Sequence, residues 1–141
     1  MIQRVERHII RKSDKNWQAC HKLCSLSRKL GNCAVYLLRH RHFEKQPILS
    51  RKELDETLKL QYVSDYRAMP SAASAQRQGQ VIAKQFKAFT KATSEYYKHP
   101  EKFRGKPKLP GYKRKYRTFY VGRNGYQIQN HQLIITGGEA I

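Results

Sequence analysis

The sequence predicts an α+β fold: a helical bundle inserted between an N-terminal strand and a C-terminal β-meander. Three observations predict it. Apolar and small residues recur three or four apart over residues 16–42 and again over 72–97, as a helix face requires. The first dozen residues are rich in Val and Ile but have no neighbouring strand in the sequence to pair with. The last two dozen mix β-branched and aromatic residues with Asn and Gly turn signals. On this reading residues 1–13 form a first strand, 14–97 the helical bundle, 98–117 a basic Pro/Gly loop and 118–141 the closing strands.

The first strand, IQRVERHIIR over residues 2–11, alternates imperfectly: Val5 and Ile9 share a face with Arg7, while Ile2 and Ile10 fall on the other. Ser13 or Asp14 is predicted to cap a helix running from Asn16 to about His42. Its apolar stripe includes Trp17, Cys20, Leu23, Cys24, Leu30, Ala34, Leu37 and Leu38, and Gly31-Asn32 is expected to kink it. Ser50-Arg51-Lys52-Glu53 reads as a capping box opening a short helix to about Leu60, with Leu54 and Leu58 on one face. Residues 62–69 are expected to be irregular. Ser71 then caps the helix over 72–97, whose stripe is Ala72, Ala75, Gly79, Ile82, Phe86, Phe89, Thr93 and Tyr96. Residues 118–121 and 126–128 are predicted as strands joined by a hairpin turn at Gly122-Arg123-Asn124-Gly125. Leu133-Ile134-Ile135 would be a third strand with no follower to cover its edge, as if the domain were cut short.

The chain of 141 residues carries 29 Lys and Arg against 10 Asp and Glu, a formal charge of +19. Such a charge repels itself, so a polyanion is the expected companion. A membrane surface is disfavoured, because no long apolar run and no basic amphipathic helix with a clean apolar face is present. The N-terminus, MIQRVERHII, lacks the apolar core of a signal peptide, so a cytoplasmic setting is expected. Cys20, Cys24 and Cys33 are an odd number without C-x-x-C spacing, which argues against disulfides and zinc and for packing as small apolar groups.

The densest charge lies in residues 98–117, KHPEKFRGKPKLPGYKRKYR, where Glu101 is the lone acid. Pro100, Pro107, Pro110, Gly105 and Gly111 exclude regular structure over most of it. Lys106, Lys108, Lys113, Arg114, Lys115 and Arg117 suit phosphates, and Phe103, Tyr112 and Tyr116 can stack on bases or sugars. The alternative reading of this stretch is a solvated linker. In the helix that precedes it, Gln76, Arg77, Gln80 and Lys84 are of the types that read base edges or hold phosphate, and are equally ordinary surface helix residues.

No catalytic site is expected. A metal-dependent nuclease clusters carboxylates. Here only Glu53, Asp55 and Glu56 cluster, in a helix's first turn, where the helix dipole accounts for them. The histidines (His8, His21, His40, His42, His99 and His131) have no partner at a triad or ligand spacing, and no P-loop or G-x-S-x-G motif occurs.

The order of features then resembles a known family. W-x-x-x-x-x-L-C-S-L-S-R-K-L-G-N follows the first strand, then MPSAASAQRQGQVIAKQFKAF, then KFRGKPKLPGYKRK, then YRTFYVGRNGYQIQNHQLII. Together these resemble the N-terminal part of the TnpB (OrfB-type) proteins of insertion sequences, relatives of type V CRISPR effectors. Leu30-Gly31-Asn32 departs from the family's leucine–tyrosine–asparagine. The resemblance implies an incomplete wedge-type β-barrel with an inserted recognition bundle, which binds guide RNA and duplex DNA at a transposon-adjacent motif. It implies that the chain ends before a RuvC-like domain. Magnesium and zinc would then belong to a missing C-terminal half, with none in this chain, and a separate chain could supply the nuclease. By matching position it sets Gln76 towards the motif duplex and brings residues 116–120, with Tyr116 and Tyr120, to the same DNA; Arg123 follows in the turn. The rival readings are a stand-alone helix-turn-helix regulator, an independent nuclease and a non-functional truncated reading frame.

Overall fold

The computed structural model describes residues 3–122, 124–137 and 141. Helices predominate, with one small antiparallel sheet. Helix α1 spans Trp17–Phe43, α2 Arg51–Gln61, α3 Val63–Ala68 and α4 Ala72–Lys98; a 3₁₀ turn, Pro100–Lys102, follows. Strands β1 (Tyr126–Gln129) and β2 (Gln132–Ile135) form the sheet. None of these helices is long and apolar enough to cross a membrane.

The core is built where the helical stripes meet. Leu30, Ala34, Val35 and Leu38 of α1 pack with Leu54 and Leu58 of α2 and with Ala75, Ile82 and Phe86 of α4. Gly79 is buried in the same face of α4, where a Cβ would stand 3.6 Å from Leu58. Ser50 accepts the Glu53 amide at 3.2 Å and Ser71 accepts the Ser74 amide at 3.2 Å, so both predicted caps form. Residues 63–68, expected to be irregular, are instead α3. It is a single turn or so whose Tyr66 is buried and donates to Asp55 at 2.8 Å, so packing rather than propensity makes it.

Four other expectations are corrected. Residues 3–11 are not a strand: Val5 and Ile9 are 94% and 74% exposed, and no described residue pairs with this segment. A strand forms only against a partner's amides, and mixed faces give this one no side to bury. Asp14 does not cap α1, because its carboxylate accepts the Arg11 amide at 2.7 Å in a turn; Asn16 is the N-cap and makes no side-chain bond. Residues 118–121 are not a strand either. Thr118 and Phe119 are drawn onto the bundle, leaving no ladder partner.

The fourth correction moves the hairpin. The two-residue loop Asn130-His131 joins β1 to β2, with φ of 49° and 62°. Positive φ at both positions is the primed turn that matches strand twist, and Asn tolerates it best after glycine. Gly122 and Gly125 still close a turn, Gly125 N–H to Gly122 O at 2.9 Å, but it links no paired strands; Arg123 lies outside the described residues. The β2 edge is met after all. Leu133 and Ile141 exchange backbone bonds of 2.7 and 2.8 Å.

Gly31 does not break α1. It is buried, and a Cβ there would stand 2.7 Å from both Arg117 Nε and Gln78 Nε2. The adjacent Asn32 holds the basic loop: its Nδ2 donates to Lys113 O at 2.9 Å, and its Oδ1 accepts Lys113 N–H at 3.0 Å. The same oxygen accepts Arg117 Nε and Nη2 at 3.3 and 3.2 Å, and Nη2 also donates to Gly111 O at 3.0 Å.

Two outcomes follow. Ala in place of Gly would favour an isolated helix by about 1 kcal/mol. Gly31→Ala is nevertheless expected to lower unfolding free energy by about 1–3 kcal/mol, because the methyl displaces a buried guanidinium; a raised denaturation midpoint would contradict this. Cys33 is half-buried, and burial together with the Asp65 carboxylate, 3.4 Å from its sulfur, pushes its pKa up to about 12. Because only thiolate reacts, its alkylation at pH 8 should run at least tenfold slower than that of a free thiol, recovering in denaturant, as mass spectrometry would read.

Candidate nucleic-acid interface

Two cationic surfaces emerge, one between α4 and the start of α2 and one along α1 and the basic loop. The first lies on α4. Arg77, Gln80, Lys84, Lys87, Lys91, Ser94 and Lys98 are spaced by alternating threes and fours, so they fall on one helix face. That face is next to the buried stripe and is left to solvent. The segment leading into α2 (Ile48 to Lys52) approaches it, and between them runs an open groove of about 1370 Å³. Five cations of α4 line it, with Arg51 and Lys52 from the start of α2. The one acid, Glu95, is already bridged by Lys102 at 3.6 Å. Ala83 and Ala88 keep the lining low. The groove has no aromatic lining residue.

Three of the sequence-predicted residues therefore converge here: Arg77, Gln80 and Lys84. Arg77 Nη1 donates to Gln80 Oε1 at 3.4 Å, and its guanidinium lies 5.7 Å from the Tyr120 ring centre. That pair ties the end of the loop to the groove's rim. Gln76 is elsewhere. Off the stripe by one position, it lies by the Tyr66 hydroxyl, whose pKa it lowers against the larger raising effects of burial and Asp55. Lys87, Lys91, Lys98, Arg51 and Lys52 were missed by sequence reasoning; the three-four spacing was the available signal for the first three.

The second surface is the loop itself, laid along α1 by polar groups. Arg39 Nη1 donates to Pro110 O at 2.9 Å, Asn32 holds Lys113, and His21 Nδ1 lies 3.0 Å from the Tyr116 hydroxyl. Arg117 N–H donates to Cys24 O at 3.3 Å. Ser27 Oγ lies 2.9 Å from Thr118 O and 3.1 Å from Gln78 Oε1, its one hydrogen serving either oxygen. From Pro110 to Tyr116 the contacts run backwards along α1, from Arg39 through Asn32 to His21; they then turn forwards through Cys24 and Ser27 as Phe119 joins the core. A solvated linker would carry no such set of partners.

Mounting the loop sorts its cations. Lys106, Lys108, Lys113, Arg114 and Lys115 are exposed. Lys106 Nζ lies 5.6 Å from the Tyr97 ring centre, and the Tyr97 hydroxyl beside it raises its pKa. Arg117 is corrected: it was expected on phosphate, but it is 8% exposed and its donors face Asn32 and Gly111. Burial lowers its pKa from the ordinary value. Tyr116 stays half-exposed, edge-on to His21, which stacks on Trp17 with centroids 4.6 Å apart. Arg123 lies outside the described residues.

Chemically, both surfaces offer donors and charge for oxyanions. Among the described residues no three His, Cys, Asp or Glu side chains come together as a metal site. Comparison with protein-family models, curated proteins and solved structures finds no match to this chain.

Proposed function

We propose that this chain binds nucleic acid without cutting it, as the recognition portion of a TnpB-like RNA-guided DNA endonuclease. Its partners on this reading are a guide RNA, duplex DNA at a transposon-adjacent motif, and a nuclease half that carries the magnesium and zinc. The observation that supports it most is the α4–α2 groove: seven cations, one neutralised acid and a width open to solvent. A chain of formal charge +19 that gathers seven of its cations into one concave strip is built for a polyanion rather than for a small acid. Arg77 and Gln80 are the base-reading candidates, since side chains of these types make bidentate contacts that discriminate bases and both line the groove. In delegated recognition a guide reads most of the target by base pairing, and protein need read only a short flanking element.

Salt dependence is the first test. Replacing Lys84, Lys87 and Lys91 by Ala should flatten the log–log salt slope of duplex binding by roughly 2–3, at about 0.9 per lost phosphate contact. Arg114→Ala with Lys115→Ala should flatten the slope for RNA by roughly 1.4 in total. An unchanged slope removes the corresponding surface from the interface. A second test concerns mechanism. Purified chain with magnesium should leave RNA and DNA intact while retaining sharp, cooperative unfolding. Cleavage would establish an independent nuclease, dimeric binding to a palindrome without RNA would establish a helix-turn-helix regulator, and absence of cooperative unfolding would point to a decayed reading frame.

A further inference from the structure

The two cationic surfaces differ in one respect that their charge conceals. The groove holds cations and no rings. The α1 side holds cations among exposed rings. Tyr36, Phe43 and Tyr112 are 47%, 65% and 52% exposed. The Arg39 guanidinium sits 5.4 Å from the Phe43 ring centre and 5.6 Å from that of Tyr112, tying the two together. His40 stacks on Tyr36 at 5.2 Å. Tyr62 gathers the set: burial pushes its hydroxyl up, and the adjacent Cys33, Tyr36 and Tyr112 add to it. Lys113, Arg114 and Lys115 follow Tyr112 directly and are exposed.

Single exposed rings occur elsewhere, as at Tyr97; here the rings gather on one face, Phe43 and Tyr112 joined through Arg39. A structural role would bury them, as it does Tyr66 and Phe86. Bases in a duplex are already stacked on one another and cannot reach a ring, whereas unpaired bases can. A surface that combines ring faces with backbone-neutralising cations is the chemistry of single-strand binding; cations alone are the chemistry of backbone tracking.

We propose that the face formed by α1 and the mounted loop is a binding site for single-stranded polynucleotide, with Tyr112, Tyr36 and Phe43 as its base-stacking platform and the α4–α2 groove left to duplex. This division rests on the nucleic-acid reading above and goes beyond it by assigning each strand type a face.

The experiment measures affinity of the full chain for a twelve-nucleotide uridine oligomer, its deoxythymidine counterpart and a twelve-base-pair DNA duplex. Tyr112→Leu and Tyr36→Leu should each weaken both single strands about tenfold, the typical loss of one base–ring stack, at an unchanged salt slope, with duplex affinity held within twofold. Tyr112→Phe and Tyr36→Phe should bind like the parent chain. Equal loss of the two single strands assigns the site to unpaired bases in general; loss for the uridine oligomer alone assigns it to RNA. Should a Leu variant unfold, the parent chain still decides: the single strands should protect Tyr112 from tetranitromethane nitration and the duplex should not. Unchanged single-strand affinity in a folded Leu variant, or equal loss of single strand and duplex, overturns the proposal. A parent chain that binds no polynucleotide at all overturns the nucleic-acid reading itself, which is a different result.

Discussion

The Asn32 side chain, wedged between Lys113 and Arg117, is the central anchor of the basic loop. A loop of residues 98–117 with three prolines and two glycines cannot order itself through backbone ladders. It is ordered from outside. Asn32 imitates a peptide unit, giving its N–H to the Lys113 carbonyl and taking the Lys113 N–H in return. The spare capacity of its oxygen receives the Arg117 guanidinium. That cation could not enter the bundle if residue 31 had a side chain, so Gly31 and Asn32 act together. Glycine inside a helix costs about 1 kcal/mol against alanine. Here the cost is met because it admits a charge that fixes the loop.

Spending Arg117 this way has a consequence for the surface. A buried guanidinium is costly unless its donors are satisfied. Anchoring it turns the neighbouring residues outward: Lys113 bonds through its backbone only, so its side chain is free to stay exposed with Arg114 and Lys115. Arg39 plays a similar double part, donating to Pro110 and lying against Tyr112 and Phe43. One set of anchors thus positions both the charges and the rings of the α1 face. The α4 groove needs no such device, because helical period alone aligns Arg77, Lys84 and Lys91.

That difference explains what could be read in advance. Helices α1, α2 and α4, their caps at Ser50 and Ser71, and the core positions Leu54, Ile82 and Phe86 were legible, since period and capping are local. The α4 stripe was legible too, though only Arg77, Gln80 and Lys84 were taken from it. Gln76, one position away, faces Tyr66 instead, a matter of 100° of helix rotation. What escaped was non-local. Arg117 looks like its basic neighbours until its contact with Gly31, 86 residues earlier, is known. Residues 3–11 and 118–121 have β-like composition, but a strand is a property of two segments, and the partners were absent. Asn124-Gly125 is the stronger hairpin signal of the two candidates. It lost to Asn130-His131 because Thr118 and Phe119 were already engaged by the bundle.

The charge itself becomes intelligible at this level. Neighbouring cations on the α4 stripe stand one helical turn apart, within the screening length of physiological salt, about 8 Å. They repel one another, and nothing in the groove but Glu95 offsets them. A fold that carried +19 only for solubility would do better to spread its cations evenly. Gathering seven of them in the α4–α2 groove adds repulsion there that a bound polyanion would remove.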